Sequence, residues 1–573
     1  MDLLRTIKPI EWMLFILFLV APLYFHPNIG GTGLRIPNNI VIWFVASIIG
    51  FYSLYKLTVN QHIYLPRHFI LLLSFPILAL FSGIIAGIEN IDLWLFRMLY
   101  IWGGVLFLFG LFQHQLKQIH FDRLLFVLLF SGFIHSLVGL SQIVIVTNYP
   151  NWLPFNANAA PTGLFQQINN QASFQVTIVL VGLWLTTRPF IRHGHIWRFI
   201  ALITIISLSS FIVSYSGSRV GALAFILALP LMLISRWHFV KTDKKRWLSI
   251  LIMFVIAISS ANLIEQKRGL GSVLEKTAAI NAGYSSTARL GIYNISLDLI
   301  KEKPLFGHGI GSFARVWQYE KPDFYQQHPE ATLPSQRVSH PHNEALFWLV
   351  EGGLVAAVGI LLLSIGIILS LLKLPVSRRY AYAALLIPIS LHTQVELPFY
   401  ISAQHWFVFL LLLALILRPS LKPFTIKLSK IANLSIKLFA IAAGFASIIF
   451  ISHSYAASNE FKAYVLKQAP AERPFQIAQQ NPYFDSLATD VMMLSMFQTS
   501  MKYGITSSIK IFAEWSEQAI ISNPHIVYFR MAVDANLFLQ QTEQACLLAV
   551  TGNAIYPNDN RLESAVQHCE RIS

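Results

Sequence analysis

The sequence predicts an all-α polytopic membrane protein with about thirteen transmembrane helices. Three observations carry that expectation: an apolar composition, the lengths of the apolar runs, and the placing of lysine and arginine between them. Of the 573 residues, 55% are hydrophobic and 12% charged, where a soluble domain holds about a quarter charged residues. Runs near the ~20 residues that cross a bilayer fall at 11–25, 36–55, 69–88, 93–112, 124–146, 172–187, 198–215, 220–235, 247–264, 345–372, 380–395, 403–417 and 435–453. The first, Trp12 to Phe25, lacks a small-residue cleavage site and precedes many further spans. It therefore reads as a retained anchor rather than a secretory signal.

The net charge of +15 would suit a nucleic-acid ligand, but the positive residues sit in short connections between apolar runs. With the N-terminus in the cytoplasm, the inward side receives Arg5 and Lys8, Lys56 and Arg67, Lys117 and Arg123, and Arg188, Arg192 and Arg198. It also receives the clusters Arg236–Arg246, Lys373–Arg379 and Arg418–Lys437. The short outward connections hold Arg35 and Arg219. A wrong number of spans would scramble this positive-inside alternation.

Two large segments then lie outward, giving four regions: spans one to nine over 1–264, a loop over 265–344, spans ten to thirteen over 345–453, and a helical tail over 454–573. In the loop, Ser286–Glu302 has helical spacing and ends at Pro304 before the glycine turn Gly307-His308-Gly309-Ile310-Gly311. Helical periodicity in the tail breaks at Asn481-Pro482, Asn523-Pro524 and Tyr556-Pro557, as in stacked helical hairpins. Cys546 and Cys569 are the two cysteines, and no zinc or iron–sulfur spacing exists, which excludes a thiolate metal or redox enzyme. They bracket a helix–turn–helix around Pro557, and an outward, oxidising location predicts a disulfide between them.

Polar residues collect at the outward end of the spans, where ionisable groups are informative because burying them in a membrane is expensive. Arg97, Arg219, Glu351, Glu396, Tyr400 and His405 lie there, with Gln166, Gln167, Asn169 and Asn170 just before span six. His135 and His392 lie within spans and read as hydrogen-bonded structural histidines. Ser339-His340-Pro341-His342-Asn343-Glu344 stands where the loop meets span ten, and such a set can accept and pass a proton near neutral pH. A shared metal is awkward for two histidines that straddle a proline, and no carboxylate cluster suits Mg²⁺ or Mn²⁺. Among Arg268, Arg289, Arg315 and Arg337 of the loop, Arg289 is the best phosphate binder, opening a helix that should pack toward the membrane. Gly307-x-Gly309 follows no Rossmann strand, so no nucleotide site is expected.

These blocks resemble the bacterial O-antigen ligase superfamily and, within it, protein O-oligosaccharyltransferases of the PglL type. Gly163 to Ala172 is similar to their Gly-x-Phe-Gln-Gln-x-Asn segment, and Ser216-Gly217-Ser218-Arg219 to the Ser-x-Ser-Arg turn. Arg289 through Pro304-Leu305-Phe306-Gly307-His308-Gly309 resembles the stretch before the catalytic loop. His342-Asn343, nine residues and then Gly353 follow the ligase pattern, departing at Ala356 where Gly, Thr or Tyr is usual. Val395 to Tyr400 resembles a segment with an important tyrosine.

The resemblance implies a GT-C-like ligase architecture in the bacterial inner membrane, with the C-terminus periplasmic. It implies transfer of an oligosaccharide from undecaprenyl pyrophosphate to Ser/Thr of periplasmic or pilin-like proteins, with inversion and without cofactor or metal. His342 would act as base, while Arg219 and Arg289 would hold the pyrophosphate. Gln167, Asn169, Tyr400, Glu396, Asn343 and Arg97 would bind substrate. An O-antigen ligase or polymerase acting on lipid A core or glycan is the alternative, and a flippase or transporter a further one. No inverted repeat of the spans is visible, which weighs against a transporter.

The topology is testable with reporter fusions. Fusions after residues 60, 118, 242 and 425 should report cytoplasm, and those after 160, 320 and 573 periplasm. A cytoplasmic C-terminus would remove one span and break the scheme.

Overall fold

Spanning segments must satisfy their own backbone groups, so the apolar runs are expected to fold as helices. The computed structural model describes residues 7–60, 62–145, 149–155, 160–264, 284–331, 333–425, 428–468 and 474–571; Arg5, Arg268 and Lys427 lie outside them. The first run forms α1 (Pro9–Phe15), which loosens into a π turn at Ile16–Val20 and a 3-10 turn at Ala21–Leu23. Then follow α2 (Pro37–Asn60), α3 (Phe69–Ala86), α4 (Ile91–Gln113), α5 (Gln118–Val144), α6 (Ile168–Thr186), α7 (Ile196–Ser216), α8 (Arg219–Thr242) and α9 (Lys244–Ile264). The segment before span ten carries α10 (Tyr284–Glu302) and α11 (Phe313–Gln327). After it come α12 (Glu344–Leu372), α13 (Val376–His392), α14 (Ala403–Leu417) and α15 (Lys430–Val465). Among the described residues ten helices are long and apolar enough to cross a membrane: α2 to α5, α7 to α9, α12, α14 and α15. The three remaining runs are helical too, as α1 with its turns, α6 and α13. The chain is an all-α polytopic membrane protein.

One element departs from the all-helical expectation. β1 (His62–Pro66) pairs antiparallel with β2 (Leu421–Thr425), His62 opposite Thr425 and Pro66 opposite Leu421. The two strands follow α2 and α14, so the pairing joins two connections that the charge pattern assigns to one side. Hydropathy does not reveal it because each strand is five residues of mixed polarity beside a helix.

The chain divides into two compact units. Unit 1 comprises residues 1–74, 99–278 and 361–481. Its central element is α6, buried from Asn170 to Thr186. Polar side chains on α6 reach carbonyls of α5: Gln171 donates to His135 (3.0 Å) and Gln175 to Gly132 (3.0 Å). Around it α7 and α8 pack on α6, α13 lies along α8, and α2 along α15. α15 continues to Val465, beyond the apolar run that ends at residue 453.

Unit 2 comprises residues 75–98, 279–360 and 482–573. Its organising feature is a break in α12 at Gly353, where φ is 61° and ψ −165°. The break frees backbone groups, and the Pro304–Gly309 turn takes them up. His308 N–H donates to the Val350 carbonyl (2.9 Å) and Gly309 N–H to that of Glu351 (3.0 Å). In return Leu354 N–H donates to Pro304 (2.8 Å) and Val355 N–H to Leu305 (3.1 Å). The His308 ring fastens the turn to α10 through the Leu299 carbonyl (2.8 Å), and burial lowers its pKa, favouring the neutral ring. Ser82 of α3 adds bonds to the carbonyls of Phe306 (3.0 Å) and Gly352 (2.6 Å).

The tail of unit 2 is a run of helices joined by short turns: α16 (Asp485–Tyr503), α17 (Thr506–Ser522), α18 (Ile526–Phe538), α19 (Thr542–Ile555) and α20 (Asn560–Glu570), each packed on the next. Asn523 and Tyr556 end α17 and α19, as their Asn-Pro and Tyr-Pro pairs predict. Two further turns, at left-handed Gly504 and Gln540, carry no proline and escape that reading. The Cys546–Cys569 disulfide joins α19 to α20, with Cα atoms 5.7 Å apart.

A side chain at Gly353 would put Cβ 2.4 Å from the Leu305 carbonyl carbon and oxygen, in a backbone region that L residues rarely adopt. Gly353→Ala should cost about 2–4 kcal/mol, read as a lower unfolding temperature in detergent and lower membrane level. Wild-type values for both would show that the clasp does not hold α12.

Candidate functional site

In unit 1, three of the sequence blocks meet through hydrogen bonds. The first block turns into α6: Gly163–Phe165 is a single 3-10 turn, Gln166 is left-handed (φ 59°), and extended Gln167 stands at the N-cap of α6. Gln142 of α5 anchors this turn. Its Oε1 accepts from Thr162 (2.8 Å) and Gly163 (2.9 Å), and its Nε2 donates to the carbonyls of Pro154 (2.8 Å) and Gly163 (3.1 Å). In the second block left-handed Gly217 ends α7, and Ser218 caps α8 by accepting from Gly221 N–H (3.3 Å). The same Ser218 hydroxyl donates to Asn169 Oδ1 (2.9 Å), which ties the second block to the first.

Arg219 is thereby fixed as the first residue of α8. It is exposed and has no ion pair among the described residues. Gln167 Oε1 and both amide atoms of Asn170 are buried without a hydrogen-bond partner among those residues. Buried polar atoms of that kind are costly unless a ligand or water satisfies them. A cavity of about 660 Å³ opens beside Gln166, lined also by Asn28, Tyr149 and Thr162.

The third block lies between α13 and α14. The Tyr400 ring lies parallel to that of Tyr100, 6.3 Å between centroids, and the Tyr100 hydroxyl donates to the Phe399 carbonyl. Glu396 is buried and its N–H bonds to the His392 carbonyl (3.0 Å). Ser173 of α6 links this block to the first, with Oγ 2.8 Å from His392 Nδ1 and 3.2 Å from His405 Nε2. His392 is thus a hydrogen-bonded buried histidine, as its position in a span suggests, while His135 stacks on Phe165 at 4.3 Å. The Ser173–His392–His405 cluster was missed from sequence. Its signal was two histidines bracketing one interhelical turn, with a serine one turn into the neighbouring polar helix.

In unit 2, Asn343 caps α12, its Oδ1 accepting from Leu346 N–H (2.8 Å). His342 precedes it in a left-handed conformation (φ 54°), and its N–H donates to His340 Nδ1 (3.2 Å). The two imidazoles meet edge to face at 4.5 Å. The Arg97 guanidinium pairs with the buried Glu351 carboxylate and lies over the Phe347 ring at 4.6 Å. Glu351 also accepts from Phe313 N–H (3.1 Å), joining α4, α11 and α12. Arg315 pairs with Glu89. Arg289 is half-buried on α10, one turn before Ile292, whose carbonyl accepts from the Trp317 indole (3.3 Å). Each unit therefore carries part of the expected residue set: Gln167, Asn169, Arg219, Glu396 and Tyr400 in unit 1, and Arg97, Arg289, His342 and Asn343 in unit 2.

Comparison with known proteins finds similarity in two stretches of this polytopic helical chain. Residues 202–361 match the family model described as O-antigen ligase, and residues 380–569 that of the virulence factor membrane-bound polymerase, C-terminal. The two matched stretches are similar to a glycan ligase and to a polymerase C-terminal segment, which supports glycan transfer at the level of the family. Over 274 residues it is 23% identical to a general O-oligosaccharyltransferase of Acinetobacter baylyi, covering 46% of this chain and 47% of that protein. The match thus spans about half the length of that relative.

The Ser218 hydroxyl serves both a helix cap and the bond to Asn169. Ser218→Ala should cost about 1 kcal/mol of stability, and should lower glycan transfer more than Ser218→Thr, which keeps the hydroxyl. Equal transfer by the two variants would detach the Asn169 bond from function.

Proposed function

We propose that the chain is an inner-membrane O-oligosaccharyltransferase that moves a glycan en bloc from undecaprenyl pyrophosphate to Ser/Thr hydroxyls of periplasmic or pilin-like proteins. The observation that carries this reading is Arg219, exposed and without an ion pair among the described residues, held at a helix start by the Ser218–Asn169 bond. A guanidinium at a helix N-terminus suits a pyrophosphate, since its fork and the helix dipole act together. Arg289 supplies a second guanidinium. Gln167, Asn169, Glu396, Tyr400, Asn343 and Arg97 complete the substrate-binding set, Arg97 acting through the position of Glu351.

The chemistry is a single displacement. The acceptor hydroxyl oxygen bonds to the anomeric carbon, the bond from that carbon to the pyrophosphate oxygen breaks, and the configuration inverts. The hydroxyl proton passes to the His342 imidazole, and undecaprenyl pyrophosphate leaves with its negative charge met by arginine. No metal or cofactor enters the scheme. The N-terminus and basic connections face the cytoplasm, and the loop and C-terminus the periplasm. The similarity to a general O-oligosaccharyltransferase supports transfer of an oligosaccharide to an acceptor oxygen. The polymerase-type C-terminal match supports a second reading, transfer to a glycan or lipid A core.

The deciding experiment presents a lipid-linked glycan to the purified protein with a periplasmic protein panel, a glycan acceptor and lipid A core, and reads products by mass spectrometry. Glycopeptides support the first reading; glycan or core products alone replace it with the second. In the same assay Arg219→Ala should lower donor use by roughly 10–100-fold, equivalent to about 1.5–3 kcal/mol for a hydrogen-bonded charge, and Lys should restore part of it. His342→Ala should abolish transfer at normal membrane level, while His340→Ala should keep a measurable fraction. The reverse ranking would move the base to His340.

A further inference from the structure

Unit 2 holds a second polar cavity, of about 620 Å³, whose residues the transfer chemistry does not use. Lys321 of α11 reaches into it from a side chain that is 1% exposed. Its ammonium donates one bond, to the Pro334 carbonyl (3.2 Å), and lies 4.6 Å from the Tyr556 ring and 5.9 Å from those of Trp317 and Tyr325. An ammonium has three donors, and Lys321 has no carboxylate partner among the described residues. The acid that lines the cavity, Asp559, is taken by Arg530 (Nε to Oδ1 3.0 Å), which holds its carboxyl below the usual range. Arg337 adds a second guanidinium to the lining, and Ser335, Gln336 and Asn558 add neutral hydrogen-bonding groups.

We propose that this cavity binds an acidic sugar residue, its carboxylate on Lys321 and Arg337 and its ring against Tyr325 and Tyr556. The volume lies in the range of small-molecule sites, enough for one or two monosaccharides. A buried cation with spare donors selects an anion. Aromatic faces accept the C–H side of a pyranose ring, and the amides and hydroxyl of the lining suit its hydroxyl groups. An amino-acid carboxylate or inorganic phosphate would use the cation and leave the rings and amides idle.

Burial draws the Lys321 pKa down to about 7. The charged or titratable groups sharing the cavity are Arg337, Arg530, Asp559, His525, Tyr325 and Tyr556. His525 is pushed below its ordinary value by burial and then by the arginines, while burial raises Tyr556. Over pH 6.5 to 9, Lys321 is therefore the group whose charge falls most. Binding should be strongest at the acid end, since a carboxylate favours the ammonium and raises its pKa.

The test titrates the full-length protein in detergent with glucuronate, glucose, N-acetylaspartate and phosphate by calorimetry at pH 6.5 and 9. It reads binding, not turnover, so its outcome is independent of the transfer assay. At pH 6.5 glucuronate should bind at least tenfold more tightly than each of the other three. That preference over glucose should shrink at least tenfold at pH 9, a comparison that needs no variant. Lys321→Met should abolish the preference, and Lys321→Arg should keep part of it. Equal binding of glucose, equal binding of phosphate or N-acetylaspartate, a pH-independent preference, or an unaffected Lys321→Met would each overturn the assignment.

Discussion

The break in α12 is the constraint from which unit 2 follows. A helix in an apolar setting can open only where other groups take up the freed backbone donors and acceptors. Four backbone bonds between Val350–Val355 and Pro304–Gly309 meet that requirement. Left unmade, each buried group would cost about 1–3 kcal/mol, so the turn and the break form together or not at all. A Cβ at Gly307 would fall 2.6 Å from the Val350 carbonyl oxygen, which is why the turn carries glycine where it meets the helix. The clasp also sets the approach of α10, through His308 and Leu299, and of α4, through Arg97 and Glu351. The Glu351 carbonyl binds Gly309 while its carboxylate binds Arg97 and Phe313. One residue thus fastens the backbone break and the ion pair at once.

Unit 1 solves a different problem, how to keep polar groups among apolar helices. Its central helix α6 carries Gln171, Ser173, Gln175 and Thr177, all buried. Ser173 and both glutamines reach neighbouring helices, while Thr177 Oγ1 donates back to the Ser173 carbonyl (2.9 Å). Deeper in α6, Gln171 and Gln175 each keep an Oε1 without a partner among the described residues while their Nε2 atoms bond to α5. At the start of that helix the Asn170 amide and Gln167 Oε1 have no partner among the described residues. Arg219 stands one hydrogen-bonded residue away, through Ser218 and Asn169.

Much of this was legible in the sequence because it is local. Hydropathy located the helices and the alternation of basic residues organised them. The short blocks Gly163–Ala172, Ser216–Arg219 and Val395–Tyr400 sit at helix ends that hydrogen bonds draw together. The Ala356 departure falls at a fully buried position, where the Cβ of a residue replacing Gly352 would lie 2.6 Å from it. Long-range partners were not legible. Arg97 reads as one of the outward polar residues, with substrate binding implied by the resemblance, and its partner Glu351, far along the chain, is not visible at that level. The same holds for the β1–β2 pairing and for Ser173 with two distant histidines. Periodicity reports which face of a helix is buried; it does not report what that face meets.

The backbone separates the two histidines at the start of α12 in a way spacing alone does not. His342 holds a left-handed conformation, which costs a residue with a Cβ of its size roughly 1–2 kcal/mol. Glycine or asparagine would occupy that position with less strain, so helix entry gives no reason for an imidazole there. What the strain does is turn the ring against His340 and direct the His342 N–H onto His340 Nδ1. That bond makes His340 Nδ1 an acceptor, places its proton on Nε2 if the ring is neutral, and leaves His340 supporting its neighbour. Asn343 completes the arrangement by capping α12 with its side chain, so the helix does not draw on the imidazole of His342 for a cap. Capping of α12 thus falls to Asn343 and acceptance of the bond from the His342 N–H to His340, an arrangement that accords with the proposal of proton transfer at His342.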